Sequence, residues 1–136
     1  MLKPDQKLAI HFFEQIDKLN GKMGHGVLRY SRNPIACAID LNHGGRSTRD
    51  LLDFGPDAPI YSNVESAMSA GGEVLILGMA PSGGRLPPEM VEEVDRAVSA
   101  GMSVINGLHE QLGPRYPNLP EGQWIWDIRQ EPQDLG

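Results

Sequence analysis

Cysteine is nearly absent from these 136 residues, and the single Cys37 has no partner for an internal disulfide. It lies in the apolar run at residues 35–39 (IACAI), where a buried, inert thiol is expected, and a cytoplasmic setting fits that usage. Basic residues are also scarce, with 12 Lys and Arg against 18 Asp and Glu and a formal net charge of −6. Those cations are scattered and form no stripe to neutralise a phosphate backbone, which argues against a nucleic-acid partner. No apolar run approaches the roughly 20 residues that span a bilayer, and the opening MLKPDQKLAI lacks the apolar core of a secretory signal, so no membrane partner is expected. Three motifs are missing as well: a G-x-x-x-x-G-K-[ST] phosphate loop, a Cys/His set at zinc spacing, and a G-x-S-x-G nucleophile elbow. Their absence disfavours a self-contained nucleotide hydrolase, a zinc enzyme and an α/β-hydrolase, and no metal is expected.

What is present is a chain sized for one compact domain, 40% hydrophobic, in which short apolar runs alternate with helical or turn-rich segments. That alternation predicts an α/β fold with a mainly parallel sheet of five or six strands. Residues 35–39, 74–77 and 103–105 read as strands, with a shorter one at 59–61 and a last one at 124–129, WIWDIR. The run VLIL at 74–77 does not alternate, as expected of a strand covered on both faces. A helix is predicted after Pro87 and Pro88, with acids early at Glu89, Glu92 and Glu93, an apolar face of Met90 or Val91, Val94, Ala97 and Val98, and a stop at Gly101. A second helix is predicted at 64–70, ended by Gly71 and Gly72. The first twenty residues are ambiguous: Leu8, Phe12, Ile16 and Leu19 fall at helical spacing, yet 8–13 also suits a strand.

Four segments carry chemistry. NGKMGHGVLRY at 20–30 places Gly21, Gly24 and Gly26 before a helical stretch, and Asp40 follows Gly21 by 19 positions, near the separation at which a dinucleotide fold presents an acid to a ribose. The glycines run G-x-x-G-x-G, which is the wrong order for NAD, and the competing reading is a flexible turn with Lys22 in solvent. DLNHGGRST at 40–48 gathers Asp40, His43, Gly44, Gly45, Arg46, Ser47 and Thr48 at a strand end. Gly44 and Gly45 are candidates to cradle an anion and Arg46 to pair with it, against the alternative of a capped helix start with a solvated arginine, and His43 alone reads as a surface residue. GMAPSGGRLPPE at 78–89 is the most informative stretch, because Gly78, Gly83, Gly84 and Arg85 at the exit of a buried strand form a plausible anion seat. Finally NGLHE at 106–110 brings Gly107 and His109 to the same edge; His109 is the preferred general base among the four histidines, with a structural role left open. Asp127 and Arg129 are read as an ion pair on the last strand.

In order, GKMGHGVLRYS, the strand ending in Ile39 and Asp40, GMAPSGGRLPPE, INGLHE and WIWDIR resemble the N-terminal domain of a bacterial family long without a known function, some members of which are D-glutamate N-acetyltransferases of the DgcN type. The resemblance runs from about Leu8 to Arg129. Its most specific piece is A-P-x-G-G-R-L-P, met by Ala80, Pro81, Gly83, Gly84, Arg85, Leu86 and Pro87; G-L-H at Gly107, Leu108 and His109 and W-D-x-R at Trp126, Asp127 and Arg129 add to it. The resemblance implies a Rossmann-like, three-layer domain over residues 1–130 with 131–136 as linker or tail, and a first strand at 8–13. It also implies acetyl-CoA as the acyl donor and the amine of a D-amino acid as acceptor. In full-length relatives a larger P-loop-type domain is expected to follow, so this chain is expected to need that partner in cis or in trans, to be inactive alone, and to be capable of forming a homo-oligomer. Acetyl transfer needs a seat for an anionic ligand, a base and oxyanion donors; by strand-end position Arg46 and Arg85, His109, and the amides of Gly83 and Gly84 are assigned to these. The full expected ligand set is Asp40, Gly44, Gly45, Arg46, Gly78, Pro81, Gly83, Gly84, Arg85 and Gly107, with His109 catalytic. The alternatives are a non-catalytic nucleotide- or CoA-binding module and a structural, oligomerising domain.

Overall fold

A computed structural model describes residues 2–18, 21–79, 86–108 and 111–128. Six strands, β1 (Leu8–Phe13), β2 (Ile35–Asp40), β3 (Ile60–Tyr61), β4 (Val74–Leu77), β5 (Ser103–Asn106) and β6 (Ile125–Asp127), form one sheet in the order β3-β2-β1-β4-β5-β6. Every adjacent pair is parallel. The expected Rossmann-like α/β class is therefore what the chain adopts, with strand boundaries within a few residues of those read from sequence. The last strand is shorter, Ile125–Asp127 rather than 124–129. β1 is central, laddered to β2 on one side and β4 on the other. Helical spacing there is an ambiguity of arithmetic: Leu8 and Phe12 are four apart, which also puts them on one face of a strand. Burial on both faces and two ladders decide for the strand, whose Leu8, Ala9, Ile10, His11 and Phe12 are all buried.

Helices α1 (Lys22–Tyr30), α2 (Thr48–Leu51), α3 (Val64–Ser69) and α4 (Pro88–Ser99), plus a 3₁₀ turn at Gly113–Arg115, make the connections. Parallel crossovers are right-handed, so connections that move leftward and rightward along the sheet cover opposite faces. Accordingly Val64 and Ala67 of α3 and Met90, Val94, Ala97 and Val98 of α4 pack on Ala9, Cys37, Leu75, Leu77 and Val104. On the other side Leu28 of α1 packs with Ile10, Phe12, Ala38 and Ile60. Pro87 caps α4 and Asn63 caps α3, its side-chain oxygen accepting the Ser66 amide at 2.8 Å. Cys37 is fully buried and desolvation pushes its thiol up to about 12, the inert state its apolar run suggested. Among the described residues no helix is long and apolar enough to cross a membrane.

Candidate functional site

The strand order reverses between β1 and β4, and in open parallel sheets ligands enter at the carboxyl end of such a reversal. Here that end is tightly sutured. The Gly78 amide donates to the His11 carbonyl at 2.9 Å, and the Gly78 carbonyl accepts the Gly24 amide at 2.8 Å, so the exit of β4 caps the first turn of α1. A Cβ on Gly24 would stand 2.4 Å from Phe12 Cε1, and one on Gly78 would stand 2.7 Å from Gly24 Cα. Both glycines are needed for this approach. The segment after β1 folds back as well: a Cβ on Gly21 would lie 2.3 Å from the Gln15 carbonyl oxygen, and His25 Nε2 reaches the Ile16 carbonyl at 2.6 Å. Backbone carbonyls thus crowd the start of α1, where a dinucleotide fold would seat its pyrophosphate, and this gives a physical reason for the unsuitable glycine order.

The polar centre of the edge is Asp40, the last residue of β2 and fully buried. Its Oδ2 accepts the Ile16 amide at 3.0 Å, and its Oδ1 accepts the Asn42 amide at 3.0 Å and His43 Nδ1 at 2.8 Å. One carboxylate therefore ties the loop after β1 to the loop after β2. Because an ionised carboxylate only accepts, His43 Nδ1 carries a proton, and the lone pair of the neutral ring lies on Nε2, assigned from this network. That nitrogen lies 3.7 Å from Asp17 Oδ2, and the side chain is 19% exposed. A buried acid that fixes the tautomer of a partly open imidazole is the orienting half of a catalytic triad. His43 is therefore a held group rather than the free surface residue its sequence suggested. The missed signal was Asp-x-x-His at a strand terminus, where the turn brings the two together.

The remaining sequence-predicted residues fall into three groups. Gly44, Gly45 and Arg46 follow His43 on the same loop. A Cβ on Gly44 would meet Ser62 at 3.0 Å, Gly45 has φ +91°, and the Arg46 guanidinium is half exposed with Asp50 at 3.9 Å. Ser47 forms a capping box with Asp50, whose carboxylate accepts the Ser47 amide at 2.9 Å. Gly107 sits elsewhere, beneath Met23, whose thioether sulfur would lie 2.6 Å from an added Cβ; close packing accounts for that glycine. Pro81, Gly83, Gly84, Arg85 and His109 lie outside the described residues. Arg129 also lies outside them, while both oxygens of its expected partner Asp127 are engaged by Asn106 Nδ2 at 2.7 Å and the amides of Leu112 and Gly113 at 2.9 and 2.8 Å.

Sequence reading missed a second buried pair. His11 Nε2 lies 2.8 Å from Glu93 Oε1, and the Phe13 amide donates to His11 Nδ1 at 3.0 Å. The second contact leaves Nε2 as the protonated nitrogen, donating to the glutamate. Glu93 Oε2 takes Arg96 Nη1 at 2.6 Å, completing a link from β1 through α4 to the surface. Phe13 itself has φ +60°, an uncommon angle for a bulky residue, and so stores backbone strain where β1 opens into the site loop. Glu93 was readable: it falls among Met90, Val94 and Ala97 on the apolar stripe, where an acid requires a buried partner.

A six-stranded parallel sheet in Rossmann order, with its polar groups at the carboxyl edge, defines a Rossmann-like α/β domain. A profile described as a domain of unknown function (DUF1611_N), Rossmann-like domain, matches residues 41–131, and the chain belongs to this family. It is 40% identical to a DUF1611 family protein from Anabaena variabilis whose crystal structure superposes with a TM-score of 0.87 over 94% of this chain. The chain spans only 38% of that relative's length. No curated protein matches it.

Proposed function

We propose that this domain is the substrate-side half of an acetyl-CoA-dependent N-acetyltransferase acting on a D-glutamate-like amino acid, with His43 as its general base. The observation that carries the reading is the Asp40–His43 pair at the carboxyl edge, a base whose tautomer is fixed by a buried carboxylate. In this scheme His43 Nε2 takes a proton from the substrate ammonium. The free amine attacks the thioester carbonyl; the N–C bond forms, the C–S bond breaks, and the nitrogen's second proton passes to the thiolate of CoA as it leaves. Arg46, exposed three residues on, is assigned to the substrate carboxylate, and by their place after β4 Arg85 and the amides of Gly83 and Gly84 are assigned to an anionic group and the oxyanion. His109 stays an alternative base.

Turnover of acetyl-CoA and D-glutamate by the chain joined to the rest of the family polypeptide tests this. His43→Gln should lower kcat by roughly 10²-fold or more with little change in folding, the usual scale for a general base. Full activity in that variant, with loss in His109→Gln, transfers the role; no N-acetyl product from the wild-type assembly overturns the reading. A second reading, a non-catalytic CoA- or nucleotide-binding module, draws support from the strand order alone. Saturable CoA binding without turnover would favour it.

A further inference from the structure

The two faces of the sheet are unequally covered. On one, α3 and α4 pack across the strands. On the other, the side chains of Val74, Ile76 and Ile105 cluster with Leu8, and the helical residue packed against them among those described is Val27 of α1. Ile105 is in register with Trp126, so both project from this side, and Ile128 follows two residues later on the same side. The exposed large hydrophobic residues among those described are Tyr30 at 78%, Trp126 at 39% and Ile128 at 40%, and all three border this area. Between Tyr30, Met23, Ile76, Ile105 and Ile128 lies an apolar groove of about 510 Å3.

We infer that this groove, over β4, β5 and β6 beside α1, is the docking seat for the part of the full-length family polypeptide that lies outside this domain, which presents apolar side chains to it. Three observations select that occupant. The match covers 38% of the solved relative, so more than half of such a polypeptide lies outside this domain. Ile128, on the groove's rim, is the first residue after β6, where the chain leaves the sheet. The exposed Tyr30 and Ile128 both line the groove, so it offers apolar side chains for a partner to bury. A second copy fits less well: Tyr30 and Ile128 line a concave groove, so two copies would set hollow against hollow.

Superposition on the Anabaena variabilis relative gives the first readout. Apolar side chains from outside the matched segment are expected within about 4.5 Å, the contact limit for packed carbons, of the positions equivalent to Tyr30, Ile105 and Ile128. Open solvent there, or cover by another copy, overturns the inference. Sedimentation of this chain gives the second: a monomer at the highest soluble concentration is expected, and a dimer dissolved by Ile128→Glu would make the occupant a second copy and sink the proposal. In the joined polypeptide, Tyr30→Glu with Ile128→Glu should raise the susceptibility of the two parts to separate proteolytic release, while both substitutions leave the melting temperature of this domain alone nearly unchanged. Unaltered proteolysis overturns the seat. None of these readouts involves catalysis, so they stand or fall apart from the acetyltransferase reading.

Discussion

Asp40 and Glu93 show what a buried carboxylate does when both its oxygens are engaged: each fixes an imidazole. The difference lies in exposure, because His11 is fully buried in the sheet whereas His43 opens onto the edge. A closed pair serves folding. His11→Leu should therefore cost about 3 kcal/mol in urea unfolding, since it strands a buried carboxylate that retains one partner, Arg96. Glu93→Gln should cost far less, about 1 kcal/mol, because the amide oxygen still accepts from His11 Nε2 and the half-exposed Arg96 can turn toward Glu65 and Glu92, at 3.6 and 3.8 Å. Equal losses in the two variants would show that the imidazole is held by packing and not by the acid.

Three glycines near the start of α1 test how an element is positioned. Gly24 lets the helix touch β1 and β4, and its partner across the contact is Gly78; Gly26 faces open space. Gly24→Ala should destabilise by about 2 kcal/mol through overpacking against Phe12, and Gly78→Ala by a similar amount. Gly26→Ala, two residues from the first, should stabilise by up to about 1 kcal/mol, because alanine is the better helix former and meets nothing. Thermal melts of the three variants check the signs, and a loss at Gly26 would mean that α1 is not packed as described. Here sequence reading was informative in one respect and blind in another. A helical stretch after Gly26 and a strand at 74–77 were read from the sequence; the strand holds, whereas the helix starts earlier, at Lys22, and so contains Gly24 and Gly26. The contact that makes Gly24 and Gly78 indispensable joins residues 54 positions apart (78 − 24), which no local pattern encodes. The same holds for Asp40, whose position was legible but whose partner Ile16 sits across a chain reversal.

At the scale of the whole molecule the parallel α/β class was legible because its strands are unbroken apolar runs, whereas the site was legible only as loops at one edge: the residue types announce chemistry, but their hydrogen bonds are decided by how β1 and β2 lie together. Cys37 joins the two scales. Its place at the centre of β2 follows from a short apolar run, and its burial makes overall stability depend on alkaline pH in a calculable way. The folded thiol titrates near 12 against an ordinary value of 9.0, so in the folded state it keeps its proton while the unfolded chain loses it. Ionisation then favours the unfolded state, and stability that is complete below pH 9 is lost as pH rises toward 12. The loss from this one group should be about 1 kcal/mol between pH 9 and 10 and approach about 1.4 kcal/mol per further unit. Tyr116, raised to about 12 by partial burial and then by its hydrogen bond to Asp95, adds to the slope mainly above its ordinary value of 10.0, so the thiol supplies most of the change from 9 to 10. Denaturant titrations of the wild type and Cys37→Ala across that interval should give a clearly steeper fall in unfolding free energy in the first than in the second. Matching slopes would mean that the thiolate is solvated in the folded chain, which would place Cys37 outside the core.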